Sequence, residues 1–227
     1  MPYPEFAARL LDVRQRIAEA AARGGQSKGV TIIAVTKTHG ADAVRASWDA
    51  GVHDCGENKV QEAVGKMAGL DVPVRWHLVG HLQRNKVKQT GEFALIHSMD
   101  SARLADSLHA AGIARGRAVD VLMQLNVAGE ETKGGYGPDD VLPEAERLMS
   151  LEGLRVRGVM TMAPFGAAEG VLRSVFGGAR DALAVLATAG HPATELSMGM
   201  SDDYETAVEE GATMVRLGTV LFGARPA

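Results

Sequence analysis

Lys37 follows directly on the run Thr31-Ile32-Ile33-Ala34-Val35-Thr36. A β-branched run of that length reads as a buried strand, and Thr38-His39-Gly40 reads as its exit loop. An amine held at a strand end loses part of its water, and desolvation lowers its pKa and frees it to attack a carbonyl. Most lysines are solvated surface charges, so this one gains meaning only beside an anion grip and a scaffold to hold both. Arg216-Leu217-Gly218-Thr219 supplies the grip. Gly218 lets a ligand approach a backbone N–H closely, and Thr219 adds a hydroxyl donor. Upstream, Ser197-Met198-Gly199-Met200-Ser201 closes another strand-like stretch, with Ser201 placed to cap the helix that follows. Asp202 and Asp203 would repel a phosphate if they faced it, so both are expected to point to solvent.

These residues lie far apart in the chain, and only a particular scaffold brings them together. Strand-like runs begin near Thr31, Val52, Val74, Ala94, Val119, Leu154, Thr194 and Met214. Between them helical patterns cover Asp42 to Ala50, Lys59 to Ala68, Arg84 to Gln89 and Ser101 to Ala111. Further helices are expected over Pro138 to Ser150, Ala167 to Ala189 and Asp202 to Glu210. Alternation of this kind implies an α/β protein with a parallel sheet, and eight strands suit a closed (β/α)8 TIM barrel. An open doubly wound sheet is the alternative. In the barrel, the strands' carboxyl ends form the site, and loops after strands seven and eight bind phosphate. Methionines 160, 162, 198 and 200 alternate with period two and read as barrel lining. Phe6, Leu10, Val13 and Ile17 recur at helical spacing and predict an extra N-terminal helix.

Composition narrows the classes. The 227 residues, 46% hydrophobic, suit one domain spanning 1–227. The 24 basic against 28 acidic residues give a net charge of −4, which argues against a nucleic-acid surface. The single cysteine, Cys55, has no internal disulfide partner, and the first residues lack an export signal's apolar core. No run reaches the length of a membrane span. A cytoplasmic protein without membrane contact is expected. Asp54 next to Cys55 would raise the thiol's pKa, against a reactive thiolate.

Longer stretches carry a family resemblance. Ala34-Val35-Thr36-Lys37-Thr38, Gly56-Glu57-Asn58-Lys59-Val60-Gln61-Glu62 and Trp76-His77-Leu78-Val79-Gly80-His81-Leu82-Gln83-Arg84-Asn85-Lys86 closely resemble the pyridoxal phosphate homeostasis protein family. So do Val159-Met160-Thr161-Met162-Ala163-Pro164, Leu196-Ser197-Met198-Gly199-Met200-Ser201-Asp202-Asp203 and Val215-Arg216-Leu217-Gly218-Thr219. The resemblance implies a fold type III barrel like the N-terminal domain of alanine racemase. It also implies pyridoxal 5′-phosphate (PLP) carried on Lys37 as an internal aldimine. Ser201, Gly218 and Thr219 would hold the phosphate, Arg216 would face the pyridine nitrogen, and Asn58 is a weaker candidate for contact with the ring. An arginine there stays protonated and leaves the ring nitrogen unprotonated, which makes the ring a poorer electron sink.

The resemblance implies a PLP carrier with little or no turnover, passing cofactor to apo PLP-dependent enzymes. Two departures from the racemases favour that role: the chain stops soon after the last strand, where they continue into a second domain, and Ala41 stands where they place a phosphate-binding tyrosine. Without the second domain a monomer is expected. The alternative is a PLP-dependent racemase or decarboxylase using His77 or His81 as a second base. A cofactor-free Schiff-base aldolase ranks last, since it needs no phosphate cradle. His77 and His81, four apart, would pair on a metal only within a helix, and the strand pattern with Gly80 opposes that; no metal is expected. Lys133, in the glycine-rich loop from Glu130 to Gly137, could act as a secondary acceptor of aldehyde.

Overall fold

Eight parallel strands close into a barrel in chain order: β1 (Thr31–Val35), β2 (Asp54–Glu57), β3 (Arg75–Leu78), β4 (Phe93–Met99), β5 (Val119–Leu125), β6 (Leu154–Thr161), β7 (Glu195–Ser197) and β8 (Met214–Leu217). Closure comes from β1 pairing with β8, with Thr31 opposite Met214 and Ile33 opposite Arg216. The computed structural model describes residues 3–130 and 134–223; the loop lysine Lys133 lies outside them. The closed sheet bears out the barrel and removes the open-sheet alternative.

The helices are α1 (Phe6–Arg23), α2 (Ala41–Asp49), α3 (Val60–Met67), α4 (Ala102–Arg115), α5 (Val141–Leu148), α6 (Glu169–Thr188), α7 (Tyr204–Glu209) and α8 (Thr219–Phe222). Their apolar faces bury against the outside of the barrel. In α1 the buried stripe is Phe6, Leu10, Val13, Ile17 and Ala20, and the helix packs on α7 and α8. Burying one such large side chain stabilises by about 1.5–3 kcal/mol. A smaller cluster, Leu95, Leu122 and Met160 with Met162 and Met214 against it, is separate from this outer core. Asp54, His77, His97, Ser197 and Arg216 are buried and linked by hydrogen bonds across the barrel strands.

Several boundaries differ from the sequence reading. Strand two starts at Asp54, because Val52 and His53 instead finish the turn after α2: Val52 N–H bonds to the Ser47 carbonyl, and His53 stacks on Trp48 with ring centroids 4.1 Å apart. Arg84–Gln89 is a 3₁₀ helix, a form common in short connectors. The stretch from Pro138 divides into a 3₁₀ turn, Pro138–Asp140, and α5. The methionine alternation breaks after β7, where Gly199 takes φ +91. Met198 therefore joins the outer core, while Met200 reaches a cavity at the barrel mouth.

Candidate functional site

Lys37 leaves the end of β1 between two residues that are tied down. Thr36, fully buried, donates its hydroxyl to Glu57 Oε1. Lys66 Nζ donates to the Thr36 carbonyl at 2.8 Å, to Glu57 Oε1 at 2.6 Å and to Glu62 Oε1 at 2.9 Å. On the other side, Thr38 N–H donates to Glu62 Oε1 at 2.7 Å. Thr38 has φ +67, the only positive φ outside glycine among the described residues. A β-branched residue there is strained at a cost of order 1–3 kcal/mol. The bond from Glu62 secures a backbone that Thr38 alone would avoid. Burial pushes the Glu57 carboxyl up, and the bonds from Lys66 and Thr36 only partly oppose the rise.

Asn58 follows β2, and its position depends on the next strand. Val79 N–H donates to the Glu57 carbonyl at 2.9 Å. A Cβ on Gly80 would fall 2.4 Å from the Asn58 carbonyl oxygen, so only glycine lets these two loops touch.

Arg216 sits on β8 with 4% of its surface exposed. Its Nη1 donates to Ser197 Oγ at 2.7 Å and its Nη2 to the Thr161 carbonyl at 2.9 Å. Burial lowers its pKa to about 10, so it remains a cation at neutral pH. Gly218 and Thr219 follow at the start of α8. Ser201 does not cap the helix expected of it. That helix, α7, begins at Tyr204 with Asp203 at its N-cap position, and Ser201 Oγ instead accepts the Val220 N–H at 3.3 Å. Ser201 is thereby turned toward the Gly218-Thr219 segment. The expectation for the two aspartates holds for Asp202, which is exposed though it borders the cavity, and fails for Asp203. Asp203 folds back so that its Oδ1 accepts the Met200 N–H at 2.6 Å.

Lys37, Asn58, Ser201, Arg216, Gly218 and Thr219 all border one cavity of about 270 Å³ at the strands' carboxyl ends, walled by Val35, Met162 and Met200. A larger cavity, about 480 Å³, opens between α1 and the amino ends of β1 to β3, away from the end where such barrels place their chemistry. His77 and His81 do not border the mouth cavity. His77 is buried between Asp54 and His97, and His81 Nδ1 lies 3.0 Å from Asp100 Oδ2. The histidine at the cavity is His39, whose Nδ1 shares a hydrogen bond with the Tyr3 hydroxyl at 3.0 Å. Its place two residues past Lys37 was a usable signal, but it read only as exit loop. Cys55 is buried and its thiol is pushed up to about 12, first by burial and then by Glu57 and Asp54. Among the described residues no group of three or more His, Cys, Asp or Glu side chains is placed to hold a metal, and no helix is long and apolar enough to cross a membrane.

Known proteins resemble this chain over nearly its whole length. The family model for the alanine racemase N-terminal domain matches residues 10–226. The pyridoxal phosphate homeostasis protein of Pseudomonas aeruginosa is 41% identical over 223 residues, covering 97% of this chain and 96% of that protein. The chain belongs to the pyridoxal phosphate homeostasis protein family. Its relative of the same name in Aquifex aeolicus is 39% identical over 221 residues, with 96% and 97% covered. Among solved structures, PipY of Synechococcus elongatus with PLP bound is 38% identical and superposes with a TM-score of 0.85, covering 96% of this chain and all of that one.

Proposed function

We propose that this protein binds PLP in the mouth cavity, holds it covalently on Lys37, and serves intracellular PLP homeostasis as a carrier without substrate turnover. The observation behind the reading is convergence: a lysine amine, a buried guanidinium and a set of hydroxyl and backbone donors on the wall of a single cavity. That donor set fits the cofactor's groups. PLP, when bound, supplies an aldehyde that a primary amine captures with loss of water, and a phosphate dianion. Lys37 provides the amine, at a position set by Thr36 and Thr38. Ser201, Gly218 and Thr219 offer hydroxyl and N–H donors to the phosphate. Arg216 would donate to the ring nitrogen, and it keeps its own proton at neutral pH. Asn58, on the same cavity wall, would contact the ring. Hydrogen bonds to charged groups contribute roughly 1.5–3 kcal/mol each, so three or four contribute about 5–12 kcal/mol before the costs of binding, a range that brackets the roughly 8 kcal/mol of micromolar affinity. The bound PipY relative supports the same ligand here.

The carrier reading is favoured over a racemase or decarboxylase by the histidines. His77 and His81, the second bases the sequence offered for such an enzyme, are engaged away from the cavity. Proton exchange at the α-carbon of D- and L-amino acids, followed by NMR with PLP-loaded protein in deuterated water, separates the two. The carrier shows no exchange at a turnover rate. Exchange that disappears in Lys37→Ala makes the chain a racemase-type enzyme, with His39 the first base to test.

A further inference from the structure

A chain of buried polar groups crosses the barrel from the amino ends of the strands to the cavity. Arg216 Nη1 donates to Ser197 Oγ at 2.7 Å, and Ser197 Oγ lies 2.9 Å from His97 Nδ1. His97 Nε2 lies 2.9 Å from His77 Nδ1, and His77 Nε2 lies 2.9 Å from Asp54 Oδ1. At the far rim Arg75 clamps Asp54, Nε to Oδ1 at 2.9 Å and Nη2 to Oδ2 at 2.5 Å. Ser197 and His97 have no exposed surface, and His77 has 4%.

With both imidazoles neutral, the carboxylate end sets the direction of every bond in the chain. A guanidinium can only donate and a carboxylate can only accept. Asp54 accepts, so His77 carries a proton on Nε2, and a neutral His77 leaves Nδ1 as an acceptor. His97 then donates from Nε2, and a neutral His97 leaves Nδ1 to accept the Ser197 proton, while Ser197 Oγ accepts from Arg216. Each of the four bonds holds one proton, and all are aligned from cation to anion, an arrangement in which neighbouring bonds strengthen one another. An extra proton on His77 Nδ1 would reverse the next two bonds and aim the Ser197 hydroxyl away from its acceptor in a buried place, which is unfavourable.

The groups facing His77 are Asp54 from β2 and His97 from β4, while Asp120, Arg157 and Glu195 line the same rim opening from β5, β6 and β7. Burial raises the Asp54 carboxyl, but the hydrogen bonds and charges of His77 and Arg75 bring it below its ordinary value. Burial, then the nearby His77 and Arg216, drive His97 well below the ordinary histidine range. Both directions agree with the proton pattern derived from the ends.

We propose that His97 is a positioning residue for the cavity: as the neutral Nε2–H tautomer, braced by His77 and Asp54, it orients the Ser197 hydroxyl and so fixes the Arg216 guanidinium against the cavity wall. Thr161 anchors the second nitrogen, and the Ser197 bond sets the plane. The ligand-bound part of this proposal rests on the PLP reading of the cavity; the tautomer part does not.

Histidine-ring NMR on the full chain, combined with PLP titration, tests it. In the free protein His97 is expected as the neutral Nε2–H form from pH 6 to 9, with its Nδ1 resonance moved by Ser197→Ala. A protonated His97 or an Nδ1–H tautomer overturns the proposal. With PLP, Ser197→Ala and His97→Leu should bind at least about tenfold more weakly. His97→Gln, which keeps one N–H and one carbonyl, should recover most of the loss. Ser197→Ala binding as tightly as the parent also overturns it. Should His97→Leu fail to fold, Ser197→Ala, which removes a single heavy atom, decides the affinity arm. A parent that takes up no PLP defeats the reading of the cavity instead, and the free-protein resonances then decide the role of His97 alone.

Discussion

At the scale of single residues, the site is built by pairs that chain order hides. Lys37 and the Gly218-Thr219 pair drew attention by their chemical type alone, whereas the ring role of Arg216 came only through the family resemblance and Ser201 was expected as a helix cap that it does not form. Glu57, Glu62 and Lys66 could not, since an acid or a lysine becomes a brace only when a fold buries it beside Thr36 and Thr38. His97 was equally hidden, as its partner Ser197 is 100 residues away. Asp54 lends itself to a direct test of this buried chemistry. Its carboxyl is held below the ordinary 3.8, where burial opposes and the His77 and Arg75 hydrogen bonds prevail. The stability it contributes is therefore fully present above that value and is lost as pH falls through the lower folded one. Thermal melts of the parent and Asp54→Asn should differ by a constant interval from neutrality down to about pH 5, with the gap closing below about pH 4. A gap that widens on acidification would reverse the sign of the linkage.

At the scale of elements, strands were easier to read than the joints between them. β1, β5, β6 and β8 begin at the residues where the apolar runs begin, Thr31, Val119, Leu154 and Met214. Runs of that kind are buried on both faces and leave little ambiguity. The errors fell where a short loop chooses among local hydrogen bonds, as at Val52-His53 and at Ser201 through Asp203. One contact holds the spacing behind the site. A Cβ on Gly112 of α4 would meet the Gly153 carbonyl oxygen at 2.1 Å, just before β6, the strand whose Thr161 anchors Arg216. Gly112→Ala should destabilise by about 1–3 kcal/mol through this overlap, seen as a lower urea midpoint. Since alanine is otherwise the better helix former, an unchanged or higher midpoint would show that α4 and β6 can separate at no cost.

At the scale of the whole molecule, the closed barrel converts six residues spread between positions 37 and 219 into one wall of a cavity. The strand count and the order of matched stretches made that architecture legible. The lumen was not: eight apolar strands suggest an apolar interior, whereas a line of charged and hydrogen-bonded groups runs through it from Asp54 to Arg216. The outside is laced by ion pairs, such as Arg173 with Glu209 and Glu210 between α6 and the end of α7. Pairs this exposed add little individually, so the fold rests on its buried layers and the site on its internal braces. On the proposed reading the barrel presents Lys37 to PLP. Loading the full chain with PLP, reducing it with borohydride and mapping the modified peptides by mass spectrometry identifies the amine that PLP takes. One dominant adduct is expected, on Lys37 and absent from Lys37→Ala; an adduct spread over surface lysines, or equal labelling of the variant, would rule out Lys37 as the covalent site.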